Sequence, residues 1–179
     1  MKLAHYVAQY LEQQGIRHIF GVNGGANLHL IHGVYDATQI KFIPSTHECN
    51  AGFSADAYAR LTGLGCAMAT SGPGATNLIT AIASSYYDSV PVIYITGAVA
   101  THRQSEKFGV RQYGFQDTPI TEMVRAITKM AKRISEPGTI GIHLSQAIRM
   151  AQHGRKGPVL IDIPDDLQRA EVTVQRVEP

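Results

Sequence analysis

Cysteine is scarce in this chain. Cys49 and Cys66 are the only two, and their spacing matches neither a metal site nor a redox pair, so they are read as free thiols in a reducing, cytoplasmic setting. Charge is sparse too. Asp, Glu, Lys and Arg make up 17% of the residues, below the usual share, which suits a surface partly covered by another domain or subunit. The net charge of +2 comes without a basic run, which argues against nucleic acid or an anionic membrane as partner. No apolar stretch is long enough to span a bilayer. The N-terminal "MKLAHYVAQYLEQQG" is amphipathic and lacks the apolar centre of a signal peptide.

Several motifs are absent as well. "GVNGGA" is not G-x-G-x-x-G, and no loop carries the P-loop Lys-Ser/Thr pair, so classical dinucleotide or nucleoside triphosphate binding is poorly supported. Ser45 and Ser71 lie in no G-x-S-x-G elbow, which argues against a hydrolase triad. Repeats and low-complexity segments are missing.

What is present is one domain's worth of alternating elements. The 179 residues, 44% of them hydrophobic, suffice for a single core. Leu3, Val7, Tyr10 and Leu11 recur at helical spacing and Gly15 ends that helix. Strands are expected in "IRHIFGV", "IKFIPS", "GCAMA", "PVIYITGA", "MAKRIS" and "GPVLIDIP". Helices are expected in "ANLHLIHGVYDA", "HECNAGFSADAYARLTG", "ATNLITAIASSYYDS", "ITEMVRAITK" and "TIGIHLSQAIRMAQHG". Strand and helix alternate about six times, which predicts an α/β fold, a parallel sheet with helices on both faces. Residues 99–119 have no period and read as a long functional loop. Residues 165–179 are polar and read as a linker or tail after a domain of residues 1–164. Ligands of such folds bind beyond the carboxyl ends of the strands. The turns "NGG", "PSTHE" and "TSGPGATN" all fall there.

In "TSGPGATN", Gly72 and Gly74 let the backbone approach a ligand, and Pro73 stiffens the turn. Glu48 opens a helix, where the dipole favours a carboxylate. Ala51, Gly52, Ala55 and Ala59 follow it at helical spacing and allow a neighbouring backbone to pack close. A glutamate pressed between such surfaces is desolvated, which suits proton transfer; the plain alternative is a helix-start Glu pointing into water. His47, Glu48 and Cys49 are adjacent and point in different directions, so they make no common metal site. His29 and His32 share a helix face, but no acid or cysteine completes a set, so a solvated or core-edge role is expected and no residue is assigned to a metal.

Six segments, "FGVNGGA", "HECNAGFSADAYARLTG", "ATSGPGATN", "PVIYITGA", "GFQDTP" and "GPVLIDIP", occur in the order found in thiamine-diphosphate-dependent enzymes of the acetolactate synthase type. The chain resembles their N-terminal, pyrimidine-binding domain over nearly its whole length. The resemblance implies the thiamine-diphosphate-binding fold, and it implies roles. Glu48 matches the glutamate that hydrogen-bonds N1′ of the aminopyrimidine and favours the imino tautomer, whose 4′-nitrogen removes the thiazolium C2 proton. A 2-keto acid then loses carbon dioxide, and a second carbonyl or a proton traps the product. Pro73 and Asn77 match positions near the pyrimidine, with Thr70 and Gly72 in the same cofactor-binding turn. Gly24 and Gly25 match the loop beside the reacting carbon. Phe115 and Gln116 match the substrate side.

Two departures stand out. Asn23 replaces a common proline, which loosens the loop before Gly24. Residues 97–115 look longer than in acetolactate synthases, so the acceptor need be neither pyruvate nor 2-ketobutyrate. The family holds the diphosphate through Mg²⁺ with a G-D-G motif, which this chain lacks; Asp162 and Asp165 of "IDIPDD" have the wrong surroundings. The Mg²⁺ and diphosphate therefore belong to another domain or subunit. The expected protein is a homodimer or homotetramer, with a flavin (FAD) allowed in its full-length form. A fragment of a longer enzyme is expected over a natural small subunit, inactive alone. The alternative function is a non-catalytic binding or assembly module that kept the fold.

Overall fold

The computed structural model of the chain describes residues 1–173. The strands are β1 (His18–Gly21), β2 (Lys41–Pro44), β3 (Gly65–Ala69), β4 (Val92–Ala98), β5 (Met130–Arg133) and β6 (Val159–Pro164). They form one six-stranded sheet in the order β2-β1-β3-β4-β6-β5, and every neighbouring pair is parallel. The helices are α1 (Leu3–Gln13), α2 (Leu28–Ala37), α3 (Glu48–Thr62), α4 (Pro73–Thr76), α5 (Ile79–Tyr87), α6 (Ile120–Met123), α7 (Ile140–Gln152) and α8 (Asp165–Gln168). None of the described helices is long and apolar enough to cross a membrane.

The strand pleat divides the core between the two faces. Cys66, Met68, Ile93, Ile95, Val159, Ile161 and Ile163 join the larger cluster with residues of α1, α2 and α7. Burial there pushes the Cys66 thiol well above its ordinary range, so it is inert. Ala67, Ala69, Val92, Tyr94 and Leu160 pack on the other face with α3, α5 and α6. Because β3, β4 and β6 are covered on both sides, each is buried at every residue and, apart from the paired Thr96 and Asp162, reads as a continuous apolar run rather than an alternating one.

Small residues make the second face a close one. A Cβ on Gly65 would run into the Ala55 carbonyl, and one on Gly52 would overlap Cβ of Ala81. Helix α3 is therefore pressed against both β3 and α5. Gly63 closes α3 in the left-handed conformation, φ 92°, which costs a glycine nothing. A polar cluster crosses the same interface. Ser85 donates to Asp56 at 2.7 Å and lies 3.0 Å from the Tyr94 hydroxyl, while Arg60 bridges Asp56 and Asp88.

The helix expected over "ATNLITAIASSYYDS" is divided into α4 and α5. Leu78 N–H bonds back three residues to Ala75, while Asn77 N–H bonds four back to Pro73, so the axis shifts by a tightened turn. "ITEMVRAITK" gives only α6 and a short 3₁₀ turn. The polar stretch after Pro164 also behaves differently at its start. Gln168 is fully buried and Val172 joins the larger core. Lys2 pairs with Glu171 in an antiparallel bridge. The packed body therefore runs past Pro164 to Val172. The rest of the expected linker, residues 174–179, lies outside the described residues.

Candidate functional site

In a sheet whose strands all run one way, the turns after β1, β2 and β3 share one rim. The first is held by Asn27, which is fully buried. Its Nδ2 donates to the Val22 carbonyl at 3.0 Å and its Oδ1 accepts from Gly24 N–H at 2.8 Å. Ala26 N–H donates to Thr70 Oγ1 at 3.1 Å, which ties this turn to the end of β3. Gly24 faces the same threonine, and a Cβ there would lie 2.6 Å from Thr70 Cβ. Beyond Thr70, Gly72 has φ 62° and Pro73 opens α4, a position where its missing N–H is no loss.

Glu48 is the first residue of α3. Extended His47 precedes it and accepts the Cys49 N–H on Nδ1 at 3.1 Å, capping the helix. The Glu48 side chain is buried, with 8% exposure, and is not directed into water. Asn77, from the turn between α4 and α5, donates Nδ2 to Glu48 Oε2 at 3.0 Å. Oε1 has no hydrogen-bond partner among the described residues. Gly74 borders that oxygen. A Cβ there would lie 3.2 Å from Oε1 and 2.7 Å from Thr70 Cγ2, so only glycine leaves the space open. One carboxylate oxygen is thus fixed by an amide and the other faces a glycine-lined gap. That arrangement fits a ring nitrogen of an aminopyrimidine: a carboxyl group can share a proton with such a nitrogen, and the missing side chain at Gly74 supplies room for a flat ring.

A second set of residues lines an adjoining cleft of about 380 Å³, formed by Gly25, Ser71, His102, Arg103, Phe115 and Gln116 among others. Phe115 is 82% exposed. Gln116 has φ 60°, unusual for a residue with a side chain. Gly72 accommodates it, because a Cβ on Gly72 would lie 2.7 Å from Gln116 Cβ. The expected residues thus fall into two neighbouring sets. Gly24, Thr70, Glu48 and Asn77 gather about Gly74, while Gly25, Phe115 and Gln116 line the cleft and Gly72 backs it. Glu48 does not line the cleft. Pro73 is exposed and contributes as the rigid start of α4. His29 and His32 part company: His29 Nε2 lies 3.6 Å from Asp165, whereas His32 faces α1.

The long loop of residues 99–119 is fastened at several points. Ser105 N–H donates to Asp117 at 2.7 Å, and the Phe108 and Tyr113 rings meet at 4.2 Å. Arg133 donates to Asp162 at 2.7 Å and to the Thr118 carbonyl at 2.8 Å. Thr96 donates to the other Asp162 oxygen at 2.6 Å. Burial raises the Asp162 carboxyl, opposed by Arg133 and Thr96. Burial also works against the Arg133 charge, but Asp162 outweighs it and keeps the guanidinium protonated.

Asp166, at the start of α8, accepts Thr101 N–H at 3.0 Å and the Thr101 hydroxyl at 2.6 Å. Burial alone would raise its carboxyl, but those hydrogen bonds and the helix-start N–H groups hold it below the usual range. A depressed carboxyl stabilises the fold above its ordinary pKa, and that contribution is lost as pH falls through the folded value. Asp166→Asn is expected to cost about 1 kcal/mol at neutral pH, and the gap from wild type should close on acidification through pH ~4 and below. Urea melts across that pH range check it; a gap that is constant with pH contradicts it.

Four residues carry no role in the sequence reading. Asn27 holds the first turn, and an Asn placed just after "NGGA" is a usable hint. Gln168 donates to the carbonyls of Ala26 and Ile163, at 2.6 and 2.8 Å, and nothing local marks it. His102 and Arg103 reach the cleft from a loop without periodicity, and Arg103 brings positive charge to it.

The parallel sheet, the glycine-lined turns at its C-terminal rim and the buried carboxylate beside them define a small-molecule-binding α/β domain. Comparison of sequences narrows this: the family described as "Thiamine pyrophosphate enzyme, N-terminal TPP binding domain" matches residues 1–123, and the chain belongs to it. It is acetolactate synthase-like. It is 42% identical over 173 residues to an acetolactate synthase of Arthrospira platensis, covering 94% of this chain and 29% of that protein. It is 42% identical over 178 residues to the acetolactate synthase isozyme 1 large subunit of Escherichia coli (strain K12), covering 96% and 30%. The acetolactate synthase large subunit of Corynebacterium glutamicum is 39% identical over 170 residues, covering 94% and 26%. The chain thus spans less than a third of the length of these relatives.

Proposed function

We propose that this chain supplies the pyrimidine-side wall of a thiamine diphosphate site in an enzyme that decarboxylates 2-keto acids and joins the product to a second carbonyl. The observation that carries this is the Glu48 carboxylate, with Oε2 held by Asn77 and Oε1 facing the gap at Gly74. When bound, thiamine diphosphate supplies the carbon nucleophile that adds to the keto group. Glu48 Oε1 holds a proton against a ring nitrogen of the aminopyrimidine, and Asn77 keeps the carboxylate turned toward it. The closed packing of α3 excludes water from this exchange, which strengthens it. Thr70, Gly24 and Gly74 set the width available to the ring. Gly25, Phe115 and Gln116 border the space for the keto acid, Arg103 offers positive charge to its carboxylate, and His102 adds an imidazole to the same wall.

The diphosphate and its Mg²⁺ are assigned to a further domain or subunit, since the chain carries no G-D-G motif. The site would then lie at an interface, in keeping with the sparse surface charge. A homo-oligomer in the cytoplasm, classed as a transferase or lyase, is the setting proposed; flavin would belong to the remainder of the protein.

The test is to assemble the chain with a diphosphate-binding partner, covalently or in trans, and follow carbon dioxide release from pyruvate and longer 2-keto acids. Turnover dependent on both thiamine diphosphate and Mg²⁺ is expected. Cofactor binding without turnover of any keto acid would instead indicate a non-catalytic module. Binding of ATP or NAD in place of thiamine diphosphate would overturn the assignment.

A further inference from the structure

We propose that His5, His32 and Asp36 form a site for one divalent transition-metal ion, zinc by preference, that clamps α1 to α2. His32 and Asp36 are one turn apart on α2 and share a face. His5 comes to them from α1. One ligand atom from each lies within 4.8 Å of the others, the only such group of three among the described residues.

The orientation of His5 is the telling detail. Its Nε2 is shut off from solvent and has no hydrogen-bond partner among the described residues, although Asp36 Oδ2 is only 3.3 Å away. An imidazole at that distance gains by pointing N–H at the carboxylate. Here the ring nitrogen and the carboxylate lie within ion-pair distance yet make no hydrogen bond, an arrangement that ligands adopt when they share a third atom. The His32 ring lies nearly parallel to that of His5, with centroids 6.1 Å apart and planes at 28°.

The backbone around the cluster is fixed. A Cβ on Gly33 would lie 2.6 Å from the Ala4 carbonyl oxygen and 3.1 Å from His5 N, so α1 and α2 cross in main-chain contact beside the three side chains. Sites on rigid elements hold their geometry better than sites on loops. Two imidazoles and one carboxylate suit zinc over magnesium or calcium, which prefer all-oxygen sets. Donor atoms around a tetrahedral zinc lie roughly 3.3 Å apart, so the exposed His32 and Asp36 need only small rotations to close on an ion. Water would complete the shell on that exposed side. The site is on α1 and α2, the face of the sheet opposite α3 and Glu48, and its role is structural.

Isothermal titration of the tag-free, chelator-treated chain with zinc chloride tests this, with cobalt(II) absorption as a second readout. One zinc per chain is expected, with a Kd of about 1–10 µM, together with the intense visible bands of four- or five-coordinate cobalt. His32→Ala and Asp36→Asn, both at exposed positions, should each weaken zinc at least ~10-fold and abolish the cobalt bands. His153→Ala, elsewhere on the surface, should change neither. Wild-type affinity in His32→Ala, or wild-type binding weaker than ~100 µM, would overturn the site.

Discussion

Glu48→Gln is expected to lower thiamine-diphosphate-dependent turnover of the assembled protein by roughly 10²–10⁴-fold with no loss of thermal stability. Glutamine keeps the size and shape of the side chain, and its amide oxygen can still accept from Asn77. What changes is the atom facing Gly74. An amide NH₂ there cannot accept a hydrogen bond or carry a transferable proton, so the exchange with the ring nitrogen stops while the packing of α3 stays intact. Glu48 is buried at a helix start with one fixed partner, so the substitution removes the proton-carrying group without opening a cavity. The measurement is kcat at saturating cofactor, beside a melting curve and a thiamine diphosphate titration. A large fall in kcat with an unchanged melt supports the role given to Glu48. Near wild-type turnover would remove it, even if cofactor binding weakened.

Much of this architecture could be read in advance because its causes are local. Runs such as "GCAMA" and "PVIYITGA" are apolar at both parities, as strands covered on both faces must be, and they became β3 and β4. Gly63 marked the end of α3 because only glycine takes the left-handed turn there without strain. The small residues at 51, 52, 55 and 59 marked close packing, and burial of Glu48 followed from it. The features that were not legible depend on partners distant in sequence. Nothing near Gln168 shows that its amide will reach the carbonyl of Ala26, so the start of the polar tail looked like a linker. The division between α4 and α5 is set by where Asn77 and Leu78 sit against α3, not by propensity, since Thr76 to Ile79 contain no breaker. Asp36 stands one helical turn from His32, and the sequence reading, which found no acid to complete a set there, passed over it. Its meaning was not legible, because His5 arrives from another helix. The two cleft residues His102 and Arg103 sit in a segment without period, where sequence patterns carry no register.

Gly52→Ala, which would stabilise an ordinary helix by about 1 kcal/mol, is expected here to destabilise by about 2 kcal/mol. The new methyl overlaps Cβ of Ala81 on α5, while its other neighbours, Tyr94 Cε1 at 3.4 Å and Leu78 Cδ2 at 3.6 Å, are ordinary contacts. The conflict is therefore between two methyl groups on facing helices, and removing the second should relieve it. Ala81→Gly alone should cost about 1 kcal/mol from helix propensity. In that background Gly52→Ala should become neutral or favourable, a coupling on the order of 2 kcal/mol between residues in direct contact. Denaturant melts of the four proteins measure it, and simple additivity would show that α3 and α5 are not pressed together as described. The same cycle bears on the site. Glu48 begins α3 and Asn77 leads into α5, so a wedge between the helices pulls the Oε2 hydrogen bond apart. Thiamine diphosphate affinity of the assembled protein should fall in Gly52→Ala and return in the double variant, which a loss of stability unconnected to the helix pair would not produce.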